Sequence, residues 1–170
     1  MPQVVYTVNI DTPLGVVRAF AVDNALTGLW FADSCPFPAD YGTSAPALPL
    51  FSNLREWLDI YFAGQEPSVP LTLKTNGTPF QEIVWGLLKS IPYGKTTSYS
   101  DLAKETAVCM GISRMAAQAV GGAVGRNPIS IIIPCHRVIG KNGGLTGYGG
   151  GLKRKSFMLR LERCEGTLFI

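Results

Sequence analysis

Cys135, His136 and Arg137 stand in a row directly after Pro134, and His136 is the only histidine in the chain. Only a thiolate is a good nucleophile, and a nearby imidazole or cation lowers the pKa of a thiol. The preceding run, Ile129-Ser130-Ile131-Ile132-Ile133, reads as a short buried strand. Pro134 ends it, because proline cannot donate to a ladder. Side chains just past such a strand end are presented rather than packed. Neighbours in sequence generally point apart, so direct contact between thiol and imidazole does not follow, and a bridging water can serve. A lone cysteine beside a lone histidine is also an ordinary structural pair. On the residues alone the reading stops at a candidate activated cysteine in a basic domain.

The elements that must position this run suggest an α+β protein. Residues 4–10, 16–22 and 26–31 are β-rich and separated by turn signals, Thr12-Pro13-Leu14-Gly15 and Asp23-Asn24, which predicts a small antiparallel sheet. Residues 37–49 are a Pro- and Ala-rich loop. Leu50, Leu54, Trp57, Leu58 and Tyr61 then recur at helical spacing up to Gly64. We expect an N-terminal scaffold domain over 1–77. A second domain, 78–170, opens at Thr78-Pro79-Phe80-Gln81, where Thr at the N-cap, Pro at N1 and Gln at N3 form a capping-box-like start. Phe80, Val84, Leu87, Leu88 and Ile91 make its apolar stripe, and Pro92 stops it. Ser98 or Ser100 caps a second helix to 107. Gly111-Ile112-Ser113 turns the chain, with Ser113 capping a third helix over 114–124. Two short helices joined by a Gly-containing turn suggest a helix-turn-helix of winged-helix type. The later helix is rich in Ala and Gly, which costs helix stability. Close approach to another backbone, of DNA or of the protein itself, would offset that cost.

Charge divides at the same place. Residues 1–78 carry three basic against seven acidic side chains, net −4, and residues 79–170 carry twelve against five, net +7. A basic C-terminal half suits a polyanion, because each neutralised phosphate releases a counterion; a solvated basic face is the alternative. No apolar run approaches the roughly 20 residues that span a bilayer, and Met1-Pro2-Gln3 lacks a signal-peptide n-region. A cytoplasmic protein with four free thiols is expected. Gly147-Tyr148-Gly149-Gly150-Gly151-Leu152 lacks the last glycine of a dinucleotide fingerprint and the Gly-Lys-Ser/Thr of a phosphate loop, so no cofactor is expected.

The run from Asn127 to Arg137 resembles the active-site signature of the O6-alkylguanine–DNA alkyltransferases, also called methylated-DNA–protein-cysteine methyltransferases. The likeness continues, in order, through Thr78-Pro79-Phe80-Gln81, Ile91-Pro92-Tyr93-Gly94, Ser98-Tyr99, Ala119-Val120-Gly121-Gly122-Ala123 and Thr146-Gly147-Tyr148. It implies that Cys135 attacks the alkyl carbon on O6 of guanine, with His136 as base through a water and Glu162, in the last helix, orienting His136. Asn127 would fix the active-site turn and Tyr99 would donate to the departing guanine. Carbonyls of Cys135 and Val138 would read the guanine amino edge, with Tyr148, Gly149 and Lys155 completing the pocket.

The same resemblance implies double-stranded DNA carrying O6-alkylguanine as partner, O4-alkylthymine as a second substrate class, base flipping, and a single turnover by a monomer that can load cooperatively. DNA contacts would come from Lys95, Thr96, Arg114, Ala119, Gly121 and Arg126. Many members carry an arginine finger where this chain has Gln118, which we expect to take that position with help from Arg114 one turn earlier. Some members bind zinc through N-terminal Cys and His; this chain has only Cys35 and no His there, so no metal is expected. A thiol hydrolase and a non-catalytic lesion binder are the rival readings.

Overall fold

Asp23 and Asn24 both adopt left-handed backbone, φ 50° and 60°, the pair of conformations that a two-residue hairpin requires. They join β2 (Val17–Val22) to β3 (Ala25–Phe31), and β2 pairs on its other side with β1 (Tyr6–Ile10), all antiparallel. The computed structural model describes residues 2–164. The expected antiparallel sheet is in fact mixed. The predicted loop contributes a two-residue strand, β4 (Thr43–Ser44), that adds to β1 in parallel and gives the order β3-β2-β1-β4. Every residue of β2 is buried. One of them is Arg18, whose guanidinium donates to the carbonyls of Phe37, Pro38, Ala39 and Tyr41 and lies 5.1 Å from the Phe20 ring. A buried cation is tolerable only with such matching acceptors. Helix α1 (Pro49–Phe62) buries Leu50, Phe51, Leu54, Leu58 and Tyr61, the spacing of a one-sided helix.

The chain forms two compact units. The first comprises residues up to Thr75 together with Pro128–Ser130; the second comprises Asn76–Asn127 and the chain from Ile131. In the second, α2 (Pro79–Lys89) opens with a complete capping box: Gln81 N donates to Thr78 Oγ1 at 3.2 Å and Thr78 N to Gln81 Oε1 at 3.0 Å. It buries Val84, Trp85 and Leu88, whereas Phe80 and Leu87 are only half-buried. Strand β5 (Thr97–Ser98) leads into α3 (Tyr99–Met110), capped by Ser98 and closed by Gly111 at φ 67°. Helix α4 (Ala117–Gly125) begins three residues later than predicted, its N-cap Ala116 makes no side-chain bond, and Ser113 and Arg114 lie in the preceding turn. The Trp85 indole N–H donates to Ala123 O at 2.9 Å, joining α2 to α4.

The segment 129–133 is not a strand. Ile129 makes one isolated bridge to Leu29, inside the first unit, and the chain then turns. Ile131 sits at φ 70°, a conformation that costs a β-branched residue on the order of 1–3 kcal/mol. Its burial, with that of Ile129 and Ile133, offsets the strain. Apolar content predicted burial correctly and regular pairing wrongly. After the turn, β6 (Val138–Ile139) runs parallel to β5, setting Thr97 opposite Val138 and bringing the start of α3 beside the chain that follows Cys135. Helix α5 (Leu152–Leu161) closes the described chain, with Glu162 as its C-cap rather than inside it.

Candidate active site

Cys135, His136 and Arg137 form one turn of 3-10 helix. Its entry is fixed twice: Cys135 N donates to Ile133 O at 2.8 Å, and the buried Asn127 side chain donates to the same carbonyl at 2.8 Å. Asn127 thus holds the turn, by its amide nitrogen. Cys135 is 6% exposed and His136 fully buried.

The His136 ring reaches Glu162, Nε2 to Oε1 at 2.6 Å. Burial alone would raise the Glu162 pKa, but hydrogen bonds and charge from His136 and Arg137 hold it down to about 2. An ionised carboxylate only accepts hydrogen bonds, so Nε2 carries the proton and Nδ1 the lone pair. Burial, aided by the charges of Arg137 and Lys155, keeps the His136 pKa below its ordinary value despite Glu162. The pair at rest is a neutral imidazole donating to a carboxylate.

Burial pushes the Cys135 thiol up, while a hydrogen bond with Asn127 and the charge of Lys155 pull it down without overcoming burial. The expectation of a thiol lowered at rest is therefore not met: desolvation exceeds the nearby cation. Lys155 is itself fully buried, its Nζ donating to Val138 O at 2.5 Å and Thr146 O at 2.9 Å, and burial lowers its pKa to about 8. Tyr99 donates to Thr146 O and Gly147 O, both at 3.2 Å, and its pKa is raised by burial and by Cys135. Tyr148 is raised further for the same reasons, and among the described residues its buried hydroxyl has no hydrogen-bond partner. Cys135, Tyr99, Tyr148, Lys155 and Asn127 thus share one neighbourhood. The carbonyls of Val138 and Cys135 are engaged, by Lys155 Nζ and by Val138 N, leaving each a second lone pair. Gly149 is exposed.

Of the expected DNA-facing residues, Lys95, Arg114, Gln118, Ala119 and Arg126 are exposed, and Thr96 and Gly121 half-buried. Arg114 is not one helical turn before Gln118, because α4 starts only at Ala117. A Cβ on Gly122 or Gly125 would meet nothing within 4 Å, and on Gly121 only the Tyr99 ring at 3.7 Å. Packing inside the protein therefore does not require these glycines.

Sequence reasoning missed two groups. Arg137 donates from Nε to Glu162 Oε2 at 2.8 Å and from Nη2 to Oε1 at 3.2 Å, and Gly94 N donates to Oε2 at 3.2 Å. Gly94 has φ +76°, and a Cβ there would lie 3.1 Å from Glu162 O. The signal available was an arginine inside the Cys-His-Arg run. Among the described residues no cluster of three or more His, Cys, Asp or Glu is placed to hold a metal ion, and no helix is long and apolar enough to cross a membrane.

Residues 79–164 match the DNA-binding domain of 6-O-methylguanine DNA methyltransferase. A methylated-DNA–protein-cysteine methyltransferase of Mycolicibacterium paratuberculosis is 43% identical over 155 residues, 91% of this chain and 90% of its own. This chain belongs to the methylated-DNA–protein-cysteine methyltransferase family. A solved relative, the O6-methylguanine methyltransferase of Mycobacterium tuberculosis, superposes with a TM-score of 0.82 at 42% identity, covering 94% of this chain and 93% of that one. A structure of Mycobacterium tuberculosis OGT in complex with DNA gives 0.80 at 41% identity, covering 94% and 92%. The methyltransferase family match spans α2 to α5 and contains every candidate site residue, from Lys95 to Glu162.

Proposed function

We propose that this protein repairs alkylated DNA by moving the alkyl group from O6 of guanine to Cys135 Sγ, once per molecule. The observation that carries the reading is the buried Cys135 turn, set beside a neutral His136 donating to ionised Glu162, in a chain of this family. Through a bridging water, the thiol proton passes to His136 Nδ1. The sulfur lone pair forms the S–C bond as C–O6 breaks, and the electron pair leaves on the guanine. Tyr99 turns from the carbonyls of Thr146 and Gly147 to donate to that anion. The Glu162 carboxylate stabilises the imidazolium, the same logic as a hydrolase triad.

The alkyl group faces inward in a duplex, so the base must be rotated out, at a cost of about a few kcal/mol that is lower where the lesion already pairs poorly. Open space above Gly122 and Gly125 supports α4 as the face that approaches DNA, through the minor groove. Gln118 fills the vacated stack, and Lys95, Thr96, Arg114, Ala119, Gly121 and Arg126 meet the backbone. Val138, Tyr148, Gly149 and Lys155 shape the pocket, with O4-alkylthymine as a second substrate. Residues 1–77 serve as scaffold, and 78–170 carry DNA binding and transfer, in a cytoplasmic monomer. The thioether product is stable, and no group in the proposed sequence removes it.

The test is intact-mass analysis after incubation with duplex oligonucleotide containing O6-methylguanine. One methyl on Cys135 per molecule is expected, and none on Cys135→Ser. DNA binding without mass gain would indicate a lesion binder, and turnover of esters without DNA a thiol hydrolase; either outcome overturns the reading.

A further inference from the structure

Arg137 is placed unlike any other cation near the site. Its guanidinium spans both oxygens of Glu162, through Nε to Oε2 at 2.8 Å and Nη2 to Oε1 at 3.2 Å. The remaining donor, Nη1, bonds the carbonyl of Ile91 at 2.7 Å, and the group lies 5.7 Å from the centre of the Tyr93 ring. A planar fork of this kind matches a carboxylate in two places and keeps its charge at every working pH. The carboxylate it grips is the one that receives the His136 proton donor, Nε2 to Oε1 at 2.6 Å. The described hydrogen bonds of the Arg137 side chain go to Glu162 and Ile91, not to the thiol.

We propose that Arg137 is a positioning residue for proton transfer: by clamping Glu162 it fixes that carboxylate on His136 Nε2 and sets how readily the imidazole takes up a proton. This rests on the proposed role of His136 as base. The clamp acts in two ways. It directs the Glu162 oxygens, so that His136 holds its lone pair on Nδ1. It also spends part of the Glu162 charge and repels an imidazolium, so His136 waits neutral and then releases its proton readily. The charge of Lys155, from α5, also disfavours the imidazolium, and Cys135 neighbours His136 on the same turn. Tyr93 and Cys164 also lie near Glu162, both with pKa values raised by burial and by its charge, and Lys95 lies near Cys164. None of these bridges both carboxylate oxygens. Arg137 neither gains nor loses a proton in the step.

His136 is the sole imidazole of the chain, so its ring signals can be followed by NMR in the unreacted full-length protein without assignment. For Arg137→Gln we expect the imidazole midpoint to rise by about one pH unit, the lower end of what an adjacent charge does. The acidic limb of the alkyl-transfer rate should rise with it. Arg137→Lys, which restores a cation, should return the midpoint to within about half a unit of the parent. Slower transfer in a folded Arg137→Gln with an unmoved midpoint would reduce Arg137 to a structural tie and overturn the proposal. Should that variant fail to fold, nitrogen shifts of the parent decide: a neutral ring protonated on Nε2 at pH 7 is expected, and an imidazolium or an Nδ1-protonated ring refutes the clamp. These titrations need no alkyl transfer, so a parent that titrates as expected yet gains no mass would fail the proposed function alone.

Discussion

Residue 162 is a carboxylate without solvent that nevertheless stays charged, and this ties the fold to pH. Its pKa in the folded protein is about 2, against about 4.3 when unfolded. A depressed carboxylate contributes stability that is present above the unfolded value and lost as pH falls towards 2. His136, lowered by burial, acts in the same direction: below about 6.5 the unfolded chain binds its proton first. Thermal melts should therefore fall from pH 7 to pH 3. Glu162→Gln should be less stable at pH 7, yet flatter below pH 5; parallel curves for the two would contradict this. Tyr99→Phe removes only a hydroxyl, and we expect transfer to slow by about a hundredfold, within the usual range for a lost proton donor, with DNA affinity kept. Gln118→Ala should slow transfer from duplex but not from free O6-benzylguanine; equal slowing on both would remove it from the stack. Cysteine and histidine were legible at this scale because their types are rare. Arg137 was not, since its partner lies 25 positions away and sequence carries no sign of which carboxylate a cation will meet.

Among the elements, the start of α2 was legible in full, because a capping box is a local pattern with a local cause. Thr78→Ala should cost about 1 kcal/mol, read by urea unfolding. The segment before Cys135 was legible only in part. The isoleucine-rich run foretold burial, which Ile129, Ile131 and Ile133 meet, but a left-handed Ile131 is imposed by tertiary packing that no propensity encodes. The start of α4 was misjudged for a related reason: Ser113 is a good cap that the turn leaves unused. The glycines of α4 allow a test that separates folding from function. Gly122 has free space around it, so Gly122→Leu should leave the melting temperature unchanged or raised, while DNA affinity falls tenfold or more and reaction with free O6-benzylguanine persists. A variant that still binds DNA normally would move the DNA face elsewhere.

For the molecule as a whole, the division of charge at residue 78 carries more information than the net +3. With Lys95, Arg114 and Arg126 on phosphates, the logarithm of DNA affinity should fall against the logarithm of salt with a slope of about −3, measured by fluorescence anisotropy. Reaction with free base should not change over the same range. Methylation adds volume at Cys135, a residue only 6% exposed, and overfilling a packed site costs about 1–3 kcal/mol. The spent protein should melt lower than the fresh one; equal melting would mean that the turn absorbs the methyl group without strain.

The bond from the Trp85 indole to Ala123 O also gives the protein an optical gauge. Indole emission responds to the loss or gain of a hydrogen bond, and Trp85 senses α4, while Trp30 and Trp57 report from the other unit as a steady background. Rapid mixing with DNA should show a Trp85 signal as the helix docks, earlier than the slower appearance of methylated thiol. Lesion search and bond-breaking can thus be timed separately in one unlabelled sample.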